Sequence, residues 1–313
     1  MSRIASRWPD VVAVLMIAVL PSLSAFISPP TPPIGKTGGV PISHRAVQRD
    51  GATAGEQPAT AATEERQPLF QFAKPGHTPA RSRDGSPNVT DEVFNAASHL
   101  VGSMLAIMGF LMLVVKSSVE GKPWHIVSFS IYGVCTIAVF VTSFLHHGLH
   151  SERFDAIFLM ADYLAIYAMI AGTFTPLCLV YFNHQWIGWV FLGSIWFFAL
   201  TGMSTHIVMG HDHVPKWLSM TIHGFMGWTG VFVVIPLCAV MPAGGICLIV
   251  LGGVLYTGGA VIFGAEKPNP CPGRFGFHEI WHLFVLLGAL THWLCMWFYV
   301  EPYAGPPALA QQA

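Results

Sequence analysis

Close to the C-terminal end of the chain stand His278-Glu279-Ile280-Trp281-His282. Histidines at i and i+4 project from one face of a helix about a turn apart. Such a pair can fill two corners of a tetrahedral zinc site. A third imidazole would leave the fourth position to water, whose pKa the metal lowers toward 7. His-Glu-x-x-His is also the pattern of zinc metalloproteases, where the Glu is the general base. The plainer alternative is a pair of hydrogen-bonded histidines without a metal.

Two other groups carry suitable chemistry, His146-His147 and Asp162. On spacing alone the third ligand stays open. Thr142 and His146 form one i, i+4 pair and Ser143 and His147 another, and either sets a hydroxyl one turn from an imidazole. Asp162 orients or deprotonates a metal-held water, or else accepts hydrogen bonds from neighbouring Tyr or Thr side chains. His150, a turn beyond His146, is expected to be solvated.

These groups must be positioned by unusually apolar elements. Of the 313 residues, 53% are hydrophobic and only 10% charged, with a mean hydropathy of +0.56. A soluble domain carries about 25% charged residues, so this supply cannot coat a globule of the same size. Soluble-enzyme, nucleic-acid-binding and disordered classes are excluded. The net charge of −1 offers no field to recruit polyanions, and no nucleic-acid partner is expected. The composition is that of an integral, multi-pass membrane protein.

No Asp, Glu, Lys or Arg lies between Asp162 and Asp212, nor between Lys216 and Glu266. Each stretch is long enough for two spans of about 20 residues. Breaks fall at Asn183-His184-Gln185 and at Met241-Pro242-Ala243-Gly244-Gly245. The expected spans are Ala96–Val115, Ile126–Leu145, Ile157–Phe182, Trp186–Met203, Trp217–Val240, Gly245–Gly264 and Phe277–Tyr299. The fold class is therefore all-α, a seven-transmembrane-helix bundle. With the preceding segment cytosolic, its side holds Arg81, Arg83, Arg153, Lys216, Lys267 and Arg274, against Lys116 and Lys122 opposite. That bias favours an N-in, C-out arrangement.

With that topology the second helix ends, and the third and seventh begin, on one face. The two ends of the proposed site therefore converge at one membrane depth. Ionisable groups inside spans are costly and mark function by default. Asn95, Ser98 and His99 are expected to tie helix ends together. His206, His211, His213 and His223 surround the loop between the fourth and fifth helices and are expected to be solvated. Gly172, Pro176 and Pro236 are kinks or close-packing points. The six cysteines, mostly inside spans and without a C-x-x-C, read as small hydrophobes.

The first ninety residues are separate. Arg3 and Arg7 precede a short apolar run and then Pro21-Ser22-Leu23-Ser24-Ala25, so residues 1–25 read as a signal peptide. Residues 26–90, rich in Pro, Ala, Thr, Gly and Gln, read as a disordered tail. Ser24-Ala25-Phe26 resembles the junction of bipartite plastid presequences, which makes the tail a candidate transit segment. Asp50, Glu56, Glu64, Glu65 and Asp84 speak against that and for an ordinary secretory-route membrane. Asn88-Val89-Thr90 is a glycosylation sequon by pattern only. The seven-helix domain spans 91–300, followed by a short tail over 301–313.

Several motifs now combine. They are Asn95-x-x-Ser98-His99-x-x-Gly102, the Ser/Thr-x-x-x-His ending the second helix, Asp162 followed by Ile170-Ala171-Gly172-Thr173-Phe174-Thr175-Pro176, and Pro272-Gly273-Arg274-Phe275-Gly276-Phe277-His278-Glu279-Ile280-Trp281-His282. Together they resemble the hemolysin III / progestin and adiponectin receptor (PAQR) family, over about Asp91 to Val300. The tail motif is nearer the hemolysin III branch than the hormone receptors. The resemblance implies a seven-helix bundle, a zinc ion held by three histidines, and kinship with membrane ceramidases. His278 and His282 match the family's last two ligands. The family's spacing to the aspartate of the third helix selects His146 over His147 as the first. Thr142 then stands where the family has serine, and Asp162 matches the family aspartate. The receptor branch has no acid at the place of Glu279, so the resemblance does not make Glu279 an indispensable base.

The implied activity is a zinc-dependent membrane hydrolase acting on a lipid amide such as a ceramide, with Asp162 and Thr142 as catalytic groups and membrane lipids as partners. The alternative is a receptor or sensor whose zinc is structural. An intramembrane metalloprotease lacks its Leu-Asp-Gly motif, and a retinal protein would need a Lys in the seventh helix. Haem-binding helices place ligands at both faces, and pore formation has no support in the residues.

Overall fold

The computed structural model describes Gln71–Phe72 and residues 91–305, apart from Glu152, His211 and Asp212. All of these belong to the second of two compact units, Phe70–Ala313. The expected signal peptide, the sequon and nearly all of the tail lie outside the described residues.

Seven helices are long and apolar enough to cross a membrane. They are α1 (Glu92–Val119), α2 (Pro123–Gly148), α3 (Asp155–Tyr181), α4 (Trp186–Met209), α5 (Lys216–Leu237), α6 (Ala243–Ala265) and α7 (Phe277–Val300). Each expected span coincides with one of them. The largest difference at a single end is at α4, which continues to Met209, past the expected Met203, with Thr205 and His206 both finding hydrogen-bond partners there.

Local chemistry sets the ends. Asp91 caps α1, accepting the backbone N–H groups of Val93 and Phe94 at 3.0 and 3.1 Å. Pro123 opens α2, where its missing N–H is no loss. The α1–α2 turn passes through Gly121 at φ +68°, a region glycine enters freely. Helix α5 changes course at Gly230, where an added Cβ would lie 2.4 Å from the Phe174 ring, so α3 and α5 approach through that gap. The final turns of α3 (Leu177–Tyr181) and α7 (Met296–Val300) widen into π-helix, in α3 directly after Pro176.

Helix α3 is the most enclosed of the seven. Around it the main core gathers Phe129, Tyr167, Phe174, Leu177, Ile195 and Met226, among others. A smaller cluster joins Val139 and Phe140 of α2, Ala165 and Met169 of α3, and Val285 and Ala289 of α7. Each of these lies one or two turns deeper along its helix than a candidate site residue, so the site has an apolar floor. The outer faces carry exposed apolar side chains in every span, for example Met108, Val134, Ile157, Phe197, Phe232, Leu251 and Leu287. A lipid surround satisfies such a surface, and water does not. This is an integral multi-pass membrane protein in contact with membrane lipids.

Two smaller features complete the frame. Within the tail expected to be disordered, Gln71–Phe72 (β1) pairs antiparallel with Leu149–His150 (β2), which follows α2 in extended backbone. On the face away from the histidines, Lys116 and Lys122 both contact Glu120 and Glu301, and Lys122 also donates to the Glu301 carbonyl at 2.7 Å. The α1–α2 turn is thus clasped to the end of α7.

Candidate metal centre

The odd-numbered helices start, and α2 ends, at the same face. There the first turns of α7 present His278 and His282, buried at 5% and 1% exposure. The end of α2 adds His147, at 2%. One ligand nitrogen from each of these three imidazoles lies within 4.8 Å of the others. Nitrogen donors about 2.0–2.1 Å from a tetrahedral zinc stand roughly 3.3–3.4 Å apart, so small ring rotations close the cluster on an ion. The donor set fits zinc, being three imidazoles shielded from water. Among the described residues this is the one group of three or more His, Cys, Asp or Glu side chains so disposed.

The family resemblance points to His146, and here the geometry differs. Adjacent residues on a helix point about 100° apart, and it is His147 that turns toward α7. Its ring centroid is 4.9 Å from that of His278 and 5.0 Å from that of His282. The His146 ring, also buried, packs edge-on against His147 at 4.7 Å. The hydroxyls follow suit. Thr142 donates back into its own helix, to the Ala138 carbonyl at 2.8 Å. Ser143 is buried one turn before His147, and both its hydroxyl and the His278 imidazole lie near the Asp162 carboxyl. Asp162, His278, His282, Ser143 and His147 are therefore brought together, with Thr142 and His146 one position to the side.

Glu279 is fully buried and serves another purpose than the metalloprotease pattern suggests. Its Oε2 accepts the Gly276 backbone N–H at 2.7 Å and its Oε1 the Asp91 backbone N–H at 2.5 Å. Asn95 Nδ2 adds a longer bond to Oε1 at 3.4 Å. Both oxygens are occupied in joining the starts of α1 and α7. Asn95 thus ties helix ends as expected.

The remainder of α1 comes closer to the histidines than its sequence suggested. His99, 3% exposed, stacks on His282 with centroids 3.7 Å apart and planes at 17°, and meets Phe140 edge-on. Ser98 Oγ is 3.3 Å from His282 Nδ1, and Glu92 Oε2 is 2.6 Å from His147 Nδ1. Glu92 fell outside the expected span. The signal that could have found it is the spacing of Glu92, Asn95 and His99, a polar stripe at helical period on an otherwise apolar helix.

The histidines after α4 need correction. His206 is fully buried in α4, where its Nε2 is 2.9 Å from Ser219 Oγ. His223 lies in α5 with its ring 4.0 Å from that of Tyr167. Neither is a solvated loop residue: α4 continues through His206, and His223, already inside the expected fifth span, turns its ring against Tyr167 of α3. His213 is exposed as expected, and His211 lies outside the described residues. His150 is exposed and pairs with Asp155 at 2.6 Å.

The chain is similar to several known proteins. Residues 88–293 match the model of a family described as haemolysin-III related. Hemolysin-3 of Bacillus cereus is 34% identical over 216 residues, covering 69% of this chain and 94% of that protein. The hemolysin-3 homolog of Bacillus subtilis is 33% identical, covering 67% and 95%. More distant is the adiponectin receptor protein of Drosophila melanogaster, 25% identical over 66% of this chain and 50% of its own length.

Proposed function

The chain belongs to the hemolysin III/PAQR family of seven-helix membrane proteins, and we propose that it is a zinc-dependent hydrolase of lipid amides such as ceramides. The observation that carries the reading is the buried convergence of three imidazoles from α2 and α7 beside the Asp162 carboxyl. In this reading His147, His278 and His282 hold the zinc, His147 taking the place that spacing gave to His146. When bound, zinc polarises a carbonyl and lowers the pKa of water toward 7.

The protein's own groups have separable tasks. Asp162 accepts a proton from the attacking water and returns it to the leaving amine, as a positioned general base and acid. Ser143 holds the Asp162 carboxyl in place. The cluster formed by Phe140, Val285 and Ala289 keeps water from below. Placed at the ends of α2 and α7 near one membrane face, the site would receive an amide near the headgroup level while the acyl chain stays among lipid.

A receptor or sensor with a structural zinc is the second reading, and the name of the Drosophila relative favours it. One experiment separates the two. Protein purified without chelators is assayed for metal and for release of fatty acid from ceramide in vesicles, by mass spectrometry. Zinc at about one per chain with turnover is expected. Zinc without turnover of any lipid amide leaves the sensor reading, and absence of metal defeats both.

A further inference from the structure

Three imidazoles can converge on one ion only if each directs a nitrogen lone pair inward, and a neutral imidazole has one lone pair. Which nitrogen keeps it is set by what the other nitrogen meets. For two of the three rings that partner comes from α1, a helix that contributes none of the three imidazoles.

At His147 the partner is Glu92, with Oε2 2.6 Å from Nδ1. A carboxylate can only accept, so Nδ1 carries the proton and Nε2 keeps the lone pair. At His282 the partner is Ser98, with Oγ 3.3 Å from Nδ1. A hydroxyl has one proton to give, and Ser98 gives it to the Asn95 carbonyl at 3.0 Å. Its oxygen is left to accept from His282 Nδ1–H, and Nε2 again keeps the lone pair. His99, stacked on His282 at 3.7 Å, restrains the plane of that ring. Glu92 and Ser98 are six residues apart on α1 and face the same cluster. The Glu279 bond to the Asp91 backbone fixes the helix start that carries both.

We propose that Glu92 and Ser98 are positioning residues that hold His147 and His282 as Nδ1–H tautomers, so that α1 is the outer shell of the metal centre. The inference rests on the zinc reading for its consequence, though not for the tautomers themselves. Outer partners of ligating histidines are worth about 10–100-fold in metal affinity.

Two measurements on the full chain in detergent test it. In the metal-free protein at pH 8, imidazole ¹⁵N spectra should find His147 and His282 protonated on Nδ1. Protonation on Nε2 alone in wild type overturns the proposal whatever the metal does. In the second measurement, zinc affinity is read by competition with a chromogenic chelator. Glu92→Ala and Ser98→Ala should each bind zinc about 10–100-fold more weakly. Glu92→Gln, which keeps an acceptor, should fall between Glu92→Ala and wild type. A purely structural role would lower the unfolding temperature of the metal-free variants and leave zinc affinity unchanged, and that pattern also overturns the proposal. A wild type that binds no zinc defeats the reading beneath it, and the spectra still decide the tautomers.

Discussion

Glu279 Oε1 accepts the backbone N–H of Asp91 at 2.5 Å, a bond between residues 188 positions apart that joins the first helix of the bundle to the last. The same carboxylate accepts from Gly276 at the start of its own helix. An acid in a zinc-protease pattern has become a latch. Glu279→Gln keeps the shape but sets an amide donor against N–H donors. A hydrogen bond to a charged group is worth about 1.5–3 kcal/mol, so the variant should lose about that much stability by denaturant titration in detergent. Its zinc content should stay at the wild-type level, and loss of zinc with stability unchanged would return Glu279 to the metal centre.

Metal content distinguishes the neighbouring histidines of α2. His147→Ala, His278→Ala and His282→Ala should each purify with little zinc. His146→Ala, whose ring packs on His147 from the side, should keep most of it. The reverse order for His146 and His147 would restore the choice made from spacing.

Asp162→Asn should bind zinc like wild type and hydrolyse lipid amide about 10²–10⁴-fold more slowly, since an amide cannot take up the proton. Ser143→Ala should slow hydrolysis less, because it removes only the group that holds Asp162. Equal activity of Asp162→Asn and wild type would remove Asp162 from the mechanism.

The opposite face gives a pH prediction. Lys116 and Lys122 hydrogen-bond the Glu120 carboxyl and hold it at about 2, well below the usual carboxylate range. A depressed carboxyl stabilises the fold above its unfolded value, and that contribution is lost as pH falls through the folded value. The unfolding-temperature difference between wild type and Glu120→Gln should be full at pH 7 and shrink between about pH 4.5 and pH 2. Because Glu120 is exposed, the difference is small. A difference that grows on acidification would contradict the assignment.

Tags near Asp84 and Gln311 should map to opposite sides of the membrane in protease protection, with the N-terminal side cytosolic or its equivalent. Both tags on one side would be incompatible with seven crossings.

The helices were legible because a membrane span needs an apolar run and little else. Charge-free stretches bounded by Asp162, Asp212, Lys216 and Glu266 located four of the seven with few residues to spare. What the sequence concealed is rotation about the helix axis. His146 and His147 are equally placed along α2, and only packing against α7 decides which one turns inward. Asp91 and Glu92 precede the expected first span, which starts at Ala96, yet one caps α1 and the other meets an imidazole. His206 and His223 misled for a related reason. Polar residues near a predicted loop look solvated until packing supplies partners, Ser219 for His206 where α4 continues and Tyr167 for His223 inside α5.

The three imidazoles are divided between α2 and α7, and α7 is the last helix of the bundle to leave the ribosome. Two of the three therefore do not exist when the first six helices enter the membrane. During synthesis His147 already has Glu92 of α1 and the neighbouring His146 ring beside it. The centre is completed in one event, when α7 inserts and Glu279 engages Asp91. In the zinc reading, metal loading is tied to the end of translation, and a chain truncated before α7 would insert with its acid–imidazole pair formed and two of the three imidazoles missing.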